Sequence, residues 1–224
     1  MKTKQLDIRH ADCMDLMREY PDNHFDLAVV DPPYGIDAGN MMGGELRKSG
    51  KGAAMKSAFK KKDWDKGTPP IAYFEQLRRV SKNQIIWGAN HMMDKIMLGS
   101  PSWIVWDKDN GTTKFADAEL AYTSHKTACR IFKYTWNGMI QGDMKNKETR
   151  VHPTQKPVKL YDWIFTNYAE KGMEILDTHL GSGSIAIAAH YAGMNLTACE
   201  LDADYYKAAC ERITRETAQT TLFD

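Results

Sequence analysis

The sequence predicts an α/β protein with a doubly wound, mostly parallel sheet. Three observations predict it. Short apolar runs suited to buried strands alternate with helical segments along the chain. One run, Phe25-Asp26-Leu27-Ala28-Val29-Val30-Asp31, ends in an acid and two prolines, as a strand with a functional tip does. Another, Glu174 to Asp177, runs into the glycine turn His179-Leu180-Gly181-Ser182-Gly183 and then a helix.

Taken in order, Leu6 to His10 reads as a strand and Cys13 to Glu19 as a helix, followed by the Phe25 strand. Gly35 to about Gly67 shows no sustained period and is read as a long loop, of the kind that commonly carries function. A helix follows from about Pro70 to Val80, with proline near its start. Strands are expected at Gln84–Gly88 and Trp103–Trp106, and an antiparallel pair at Glu119–Ser124 and Cys129–Tyr134. Beyond a linker-like stretch, Gly138 to Pro157, a helix is expected over Val158–Tyr168. A strand at Glu174–Asp177, a helix at Ser184–Tyr191, a strand at Asn195–Glu200 and a helix at Asp204–Glu216 complete the order. The 224 residues fit one domain, 1–224, with a basic loop at about 36–67 and a short region at about 135–151.

Composition narrows the class. A hydrophobic fraction of 42% supports a substantial core. Thirty Lys and Arg face 29 Asp and Glu, so bulk charge names no partner, and any polyanion must be met by a local cluster. Cys13, Cys129, Cys199 and Cys210 lie far apart with no CxxC pair, which argues against a metal site or a disulfide framework. With no apolar leader and no membrane-length apolar run, a cytoplasmic protein is expected.

The glycine turn binds a nucleotide-like cofactor in many folds. Gly181, Gly183 and Ala186 fit G-x-G-x-x-G/A, and Glu200 stands at the distance of a ribose-binding acid. Alone this suits a nicotinamide-dependent dehydrogenase equally well. Asp177 at the strand tip tilts the choice, because a carboxylate repels pyrophosphate and attracts an ammonium or a sulfonium. S-adenosylmethionine carries both.

Asp31-Pro32-Pro33-Tyr34 is the most specific feature of the chain. Asp31 and the Pro32 carbonyl are two adjacent acceptors, Pro32 and Pro33 stiffen the backbone, and Tyr34 offers a face on which a planar ring can stack. Two acceptors and a stacking plate suit the exocyclic amine of a nucleobase. Hydrogen bonds to both N–H groups favour a pyramidal nitrogen and strengthen as positive charge develops on it.

This tetrapeptide, followed downstream by the Gly-x-Gly turn, resembles the beta group of DNA amino-methyltransferases, which modify adenine N6 or cytosine N4. His152-Pro153-Thr154-Gln155-Lys156-Pro157, Trp106-Asp107-Lys108 and Asp117-Ala118-Glu119 extend the resemblance over nearly the whole chain. It implies a Rossmann-like methyltransferase fold of seven strands whose last hairpin carries one antiparallel strand. It also implies catalysis by Asp31, Pro32, Pro33 and Tyr34. Asp12, with Cys13 beside it, would contact the cofactor's adenine. Asp177, Gly181, Ser182 and Gly183 would hold its methionine part, Glu200 its ribose, and Thr154, Lys156 and Asp31 would line the same pocket. Asp-Pro-Pro-Tyr usually accompanies adenine in that family. Site-specific adenine-N6 methylation of double-stranded DNA at a flipped-out base is therefore expected, with cytosine N4 or an RNA adenine as alternatives. No metal is implied.

Between Glu45 and Lys66 eight basic residues outweigh three acids. Arg47, Lys48, Lys51, Lys56, Lys60, Lys61 and Lys62 are the candidate phosphate contacts. The region where larger relatives insert a recognition domain is short here, leaving the source of sequence specificity open, a second subunit (a homodimer) included. No restriction nuclease signature is present, so the chain could serve a restriction-modification pair or act as an orphan methylase. The tail Gln219-Thr220-Thr221-Leu222-Phe223 resembles the peptide by which bacterial replication proteins bind the sliding clamp. Leu222 and Phe223 either anchor there or pack back on the protein.

Overall fold

Buried apolar residues form most strands of the fold, in this chain order: β1 (Leu6–His10), α1 (Cys13–Arg18), β2 (Phe25–Val30), α2 (Ala38–Met41), α3 (Ile71–Val80), β3 (Ser81–Trp87), a single 3-10 turn (Ala89–His91), α4 (Met93–Ile96), β4 (Trp103–Asp107), β5 (Ala118–Thr123), β6 (Arg130–Lys133), β7 (Trp136–Asn137), β8 (Ile140–Gln141), α5 (Val158–Tyr168), β9 (Glu174–Asp177), α6 (Ser184–Ala192), β10 (Asn195–Glu200) and α7 (Ala203–Thr217). The computed structural model describes residues 1–41, 59–96, 99–111, 116–137 and 140–218. Arg47, Lys48, Lys51 and Lys56, and the tail from Gln219 to Phe223, lie outside the described residues.

Among the described residues, eight strands make the main sheet, in the order β1-β10-β9-β2-β3-β5-β4-β6. β5 alone runs against its neighbours, antiparallel to both β3 and β4, while β6 is parallel to β4. The expected α/β class and a single reversed strand are found in the main sheet, with eight strands in place of seven; the reversed strand belongs to the mid-chain β4–β5 hairpin and not to the last one, β7–β8.

The expected antiparallel pair of β5 with β6 is not formed. Both edges of β5 are already taken, by Ile85–Trp87 of β3 on one side and Trp103–Asp107 of β4 on the other. β6 therefore adds to the remaining edge of β4. Mutual hydrogen bonds between the Ser102 hydroxyl and the Thr127 backbone hold the intervening turn beside the start of β4, and the Trp106 indole N–H donates to Tyr134 O at 3.1 Å.

Successive residues of β2 face opposite layers. Leu27 and Val29 join the cluster covered by α5, α6 and α7, whereas Ala28 and Val30 join the cluster covered by α1 and α3. Burial on both faces explains why the strand reads as an unbroken apolar run. β2 and β9 lie side by side, with Leu27 opposite Ile175 and Ala28 opposite Leu176. From β2 the chain proceeds to β3 on one side, and from β9 to β10 on the other. Their carboxyl ends therefore flank the topological switch point, where ligands bind in open α/β sheets.

Candidate active site

β9 delivers the glycine turn to this crevice. Gly183 has φ of 77°, and a Cβ there would approach Ile213 Cδ1 to 2.9 Å, so glycine lets α7 close against the start of α6. Gly181 N donates to Glu200 Oε2 at 2.9 Å, and Asp202 N donates to Glu200 Oε1 at 2.9 Å. Glu200 thus ties the turn to the end of β10, and burial raises its pKa above the ordinary carboxylate range. Beneath, buried Arg212 donates to Ser182 O at 3.1 Å and Ser184 Oγ at 2.8 Å. It also pairs with Glu148 at 2.7 Å, which clamps the turn to the segment leading into α5.

A cavity of about 380 Å³ opens above the turn. Asp12, Cys13, Asp31, Thr154, Lys156, Gly181, Ser182 and Glu200 line it, together with Pro33, Trp64, Asp202 and Tyr205. Asp177 and Gly183 are not among the lining residues. The buried Asp177 carboxyl accepts from His179 N at 3.0 Å, and burial pushes its pKa up to about 8. Among the described residues, four acids, Asp12, Asp31, Glu200 and Asp202, line the cavity against one ammonium, Lys156. The two histidines on the wall are neutral, because burial takes His152 down to about 3 and His179 to about 4. Gly181 N and Gly183 N are spent on Glu200 and Leu180 O. Such a wall repels a pyrophosphate and suits a ligand with hydroxyls, an ammonium and a sulfonium, which counts against the dehydrogenase.

The tip of β2 stands between this cavity and a second of about 590 Å³. Asp31, Trp64, Thr154 and Lys156 line both; Pro33 faces the first, and Pro32 and Tyr34 face the second. The Tyr34 hydroxyl donates to Asp31 Oδ1 at 2.6 Å, and its ring lies near-parallel to His91 with centroids 5.2 Å apart. Gly88, at φ of 64°, makes room for that ring, since a Cβ there would fall 2.0 Å from Tyr34 Cε1. Lys156 pairs with Asp31 Oδ1 at 2.6 Å and with Glu119 Oε2 at 3.0 Å, and Glu119 is also held by Lys108. Burial raises the Asp31 pKa against the pull of Lys156, with Glu119 adding to the rise. For Glu119 the same burial is overcome by Lys156 and Lys108, which hold its carboxyl at about 2.

Several members of this constellation carried no role in the sequence reading. Asp65 appeared only as an acid within a basic loop, yet it is buried and anchors the tetrapeptide. Glu119 and Lys108 stood inside matched motifs without an assigned chemistry, and Gly88 and His91 follow an apolar strand with nothing local to mark them. The described basic residues also differ among themselves. Lys62 is ion-paired with Asp202 and, at 3.0 Å, with Asp204, and sits over the Tyr205 ring at 4.4 Å. Lys60 reaches Asp204 at 3.4 Å with its side chain 81% exposed, which leaves it accessible to a phosphate.

The mostly parallel doubly wound sheet is the Rossmann-like fold of methyltransferases. Residues 117–211 match the family model N6_N4_Mtase, described as DNA methylase. The chain is 24% identical to the Type II methyltransferase M2.MboI of Moraxella bovis, over 93% of this chain and 88% of that protein. It is 22% identical to M2.DpnII of Streptococcus pneumoniae, covering 96% and 91%. Among solved structures, the M1.HpyAVI–SAM complex superposes with a TM-score of 0.56 at 18% identity, covering 92% of this chain and 99% of that one. The PvuII DNA methyltransferase (cytosine-N4-specific) gives 0.60 at 12% identity, covering 97% and 93%. Together the family match and the relatives support a DNA methyltransferase of the N6/N4 class.

Proposed function

We propose that the chain methylates an exocyclic amine of a DNA base, adenine N6 foremost, using S-adenosylmethionine. One observation carries this reading. Asp31, an acceptor at a strand tip, lies on the shared wall of two cavities, one acidic and bounded by the glycine turn, the other lined by Tyr34 and His91.

When bound, S-adenosylmethionine supplies an electrophilic methyl group on a sulfonium. Asp12, Glu200 and Asp202 would meet its hydroxyls and ammonium, with Thr154, Ser182 and the Gly181 turn as the remaining wall. Asp177 acts from beneath, through the His179 backbone. On the other side, Asp31 and the Pro32 carbonyl accept the two N–H groups of the amine and stabilise the positive charge that develops on nitrogen. Among the described residues, the hydrogen bonds and ion pairs to the Asp31 carboxylate converge on Oδ1, which leaves Oδ2 to the base. Tyr34 stacks on a base that has left the duplex, and holding the reacting groups in line supplies much of the rate. Cytosine N4 presents an amine of the same kind and is the alternative reading.

The sheet runs from β1 near the start of the chain to β10 near its end, which supports one methyltransferase domain. Lys60 and Lys61 are the described candidates for phosphate contact. A homodimer and a clamp bound through Gln219 to Phe223 remain proposals, tested by sedimentation and by fluorescence polarisation of the tail peptide. The central test is incubation with labelled S-adenosylmethionine and unmethylated DNA or RNA, followed by nucleoside analysis. N6-methyladenine from duplex DNA is expected, and Asp31→Ala should lower the rate by about 10²–10³-fold. N4-methylcytosine would move the target base, and unlabelled nucleic acid would reject the reading.

A further inference from the structure

Lys156 ends the His-Pro-Thr-Gln-Lys segment, and its side chain is almost wholly buried, at 4% exposure. It touches three groups from two parts of the chain: Asp31 Oδ1 at 2.6 Å and the Tyr34 hydroxyl at 3.0 Å, both of the tetrapeptide, and Glu119 Oε2 at 3.0 Å. Lys108 closes the cluster on the other oxygen of Glu119. Two carboxylates and two ammoniums therefore balance. Among the described residues, Tyr161 on α5 and Asp177 at the tip of β9 also lie close enough to Asp31 to feel its charge.

We infer that Lys156 is a positioning residue that keeps Asp31 ionised, and so an acceptor, while Glu119 and Lys108 hold its ammonium in place. The inference rests on the proposed role of Asp31 as acceptor for the amine. A protonated Asp31 would present a donor where the amine needs an acceptor, and would lose the charge that stabilises the developing cation. Burial and Glu119 both favour the protonated form, and among the described residues Lys156 is the opposing charge at contact distance. Glu119 acts with both signs, since it repels the Asp31 charge directly yet helps to retain Lys156.

The geometry makes two substitutions act in opposite directions. Lys156→Met should raise the titration midpoint of Asp31 by roughly 1–3 pH units, the usual effect of losing an opposite charge at contact. Glu119→Gln should lower it, because Lys156 then serves Asp31 alone. Lys156→Arg should keep it near the wild-type value. The midpoint is read by carbon-13 carboxyl NMR of the aspartate-labelled full chain, without cofactor or DNA, and Asp31→Asn identifies the resonance. A midpoint that Lys156→Met leaves unchanged, or that both variants move the same way, overturns the inference. If Lys156→Met does not fold, the sign of the Glu119→Gln shift decides. In a second arm, single-turnover methyl transfer to DNA is followed against pH, and the acid limb of Lys156→Met should move upward with the midpoint. A uniform loss at every pH would mark Lys156 as merely structural. Wild-type protein that transfers no methyl group would refute the proposed function, while the NMR titration would still test the charge relation.

Discussion

The Asp65 carboxylate accepts the backbone N–H of Tyr34 at 2.6 Å, across 31 residues of chain. The same oxygen takes Gly35 N at 2.9 Å, and the other takes Ala38 N at 2.9 Å. One buried acid thus supplies the acceptors that a turn just after two prolines has no strand to provide. Asp65→Ala should leave these donors unpaired and cost about 1–3 kcal/mol in chemical denaturation. Methyl transfer should fall as the tetrapeptide loosens. Stability equal to wild type would remove the anchoring role.

Gly88 should matter through Tyr34. Gly88→Ala places a methyl group inside the space of the Tyr34 ring, at a φ of 64° that also strains alanine. We expect cofactor binding to survive and base stacking, worth about 1–3 kcal/mol, to be lost. Adding Gly88→Ala to Tyr34→Ala should then lower activity little further. Full additivity of the two effects would show that Gly88 acts elsewhere.

Lys62 separates from its neighbours in the basic loop. Its partner Asp202 and the Tyr205 ring beneath it both line the acidic cavity. Lys62→Ala should weaken S-adenosylmethionine binding a few-fold by calorimetry, in line with the roughly 0.2–1 kcal/mol of a partly screened pair. Neutralising Lys60 and Lys61 should spare the cofactor and flatten the salt dependence of DNA binding, by about 0.9 in log-log slope per lost phosphate contact. Unchanged cofactor affinity in Lys62→Ala would return that residue to the DNA-facing set.

Stability should respond to pH from both sides. His152 and His179 are buried neutral, with folded values near 3 and 4, below the ~6.5 of an unfolded histidine. Their contribution is fully present above pH ~6.5 and is lost as pH falls toward 4 and then 3. Asp177 is the reverse case, with a folded value of about 8 against ~3.9 unfolded. Its contribution is present below pH ~4 and is lost as pH rises to 8. Asp177→Asn keeps an acceptor for His179 N and should melt above wild type at pH 8, with the gap closing as pH falls toward 4. A gap independent of pH would contradict the raised carboxyl value.

By itself, the sequence determined what depends on near neighbours. Val158–Tyr168, Glu174–Asp177 and Asn195–Glu200 stand where apolar period and punctuation put them, because Pro157, Gly172 and Gly193 mark their starts locally. The acceptor tip at Asp31 and the turn at Gly181 were legible for the same reason: each is a contiguous run whose residue types already state its chemistry. Tertiary structure alone decided which strand edge was left for β6, since that depends on β3 and β4 having claimed both edges of β5. It also decided that Asp65, Gly88, Glu119 and Lys156, drawn from separate parts of the chain, would converge on Tyr34 and Asp31. Charges act through space at a few ångströms, and a linear pattern carries no record of which distant groups the folded sheet will bring that close.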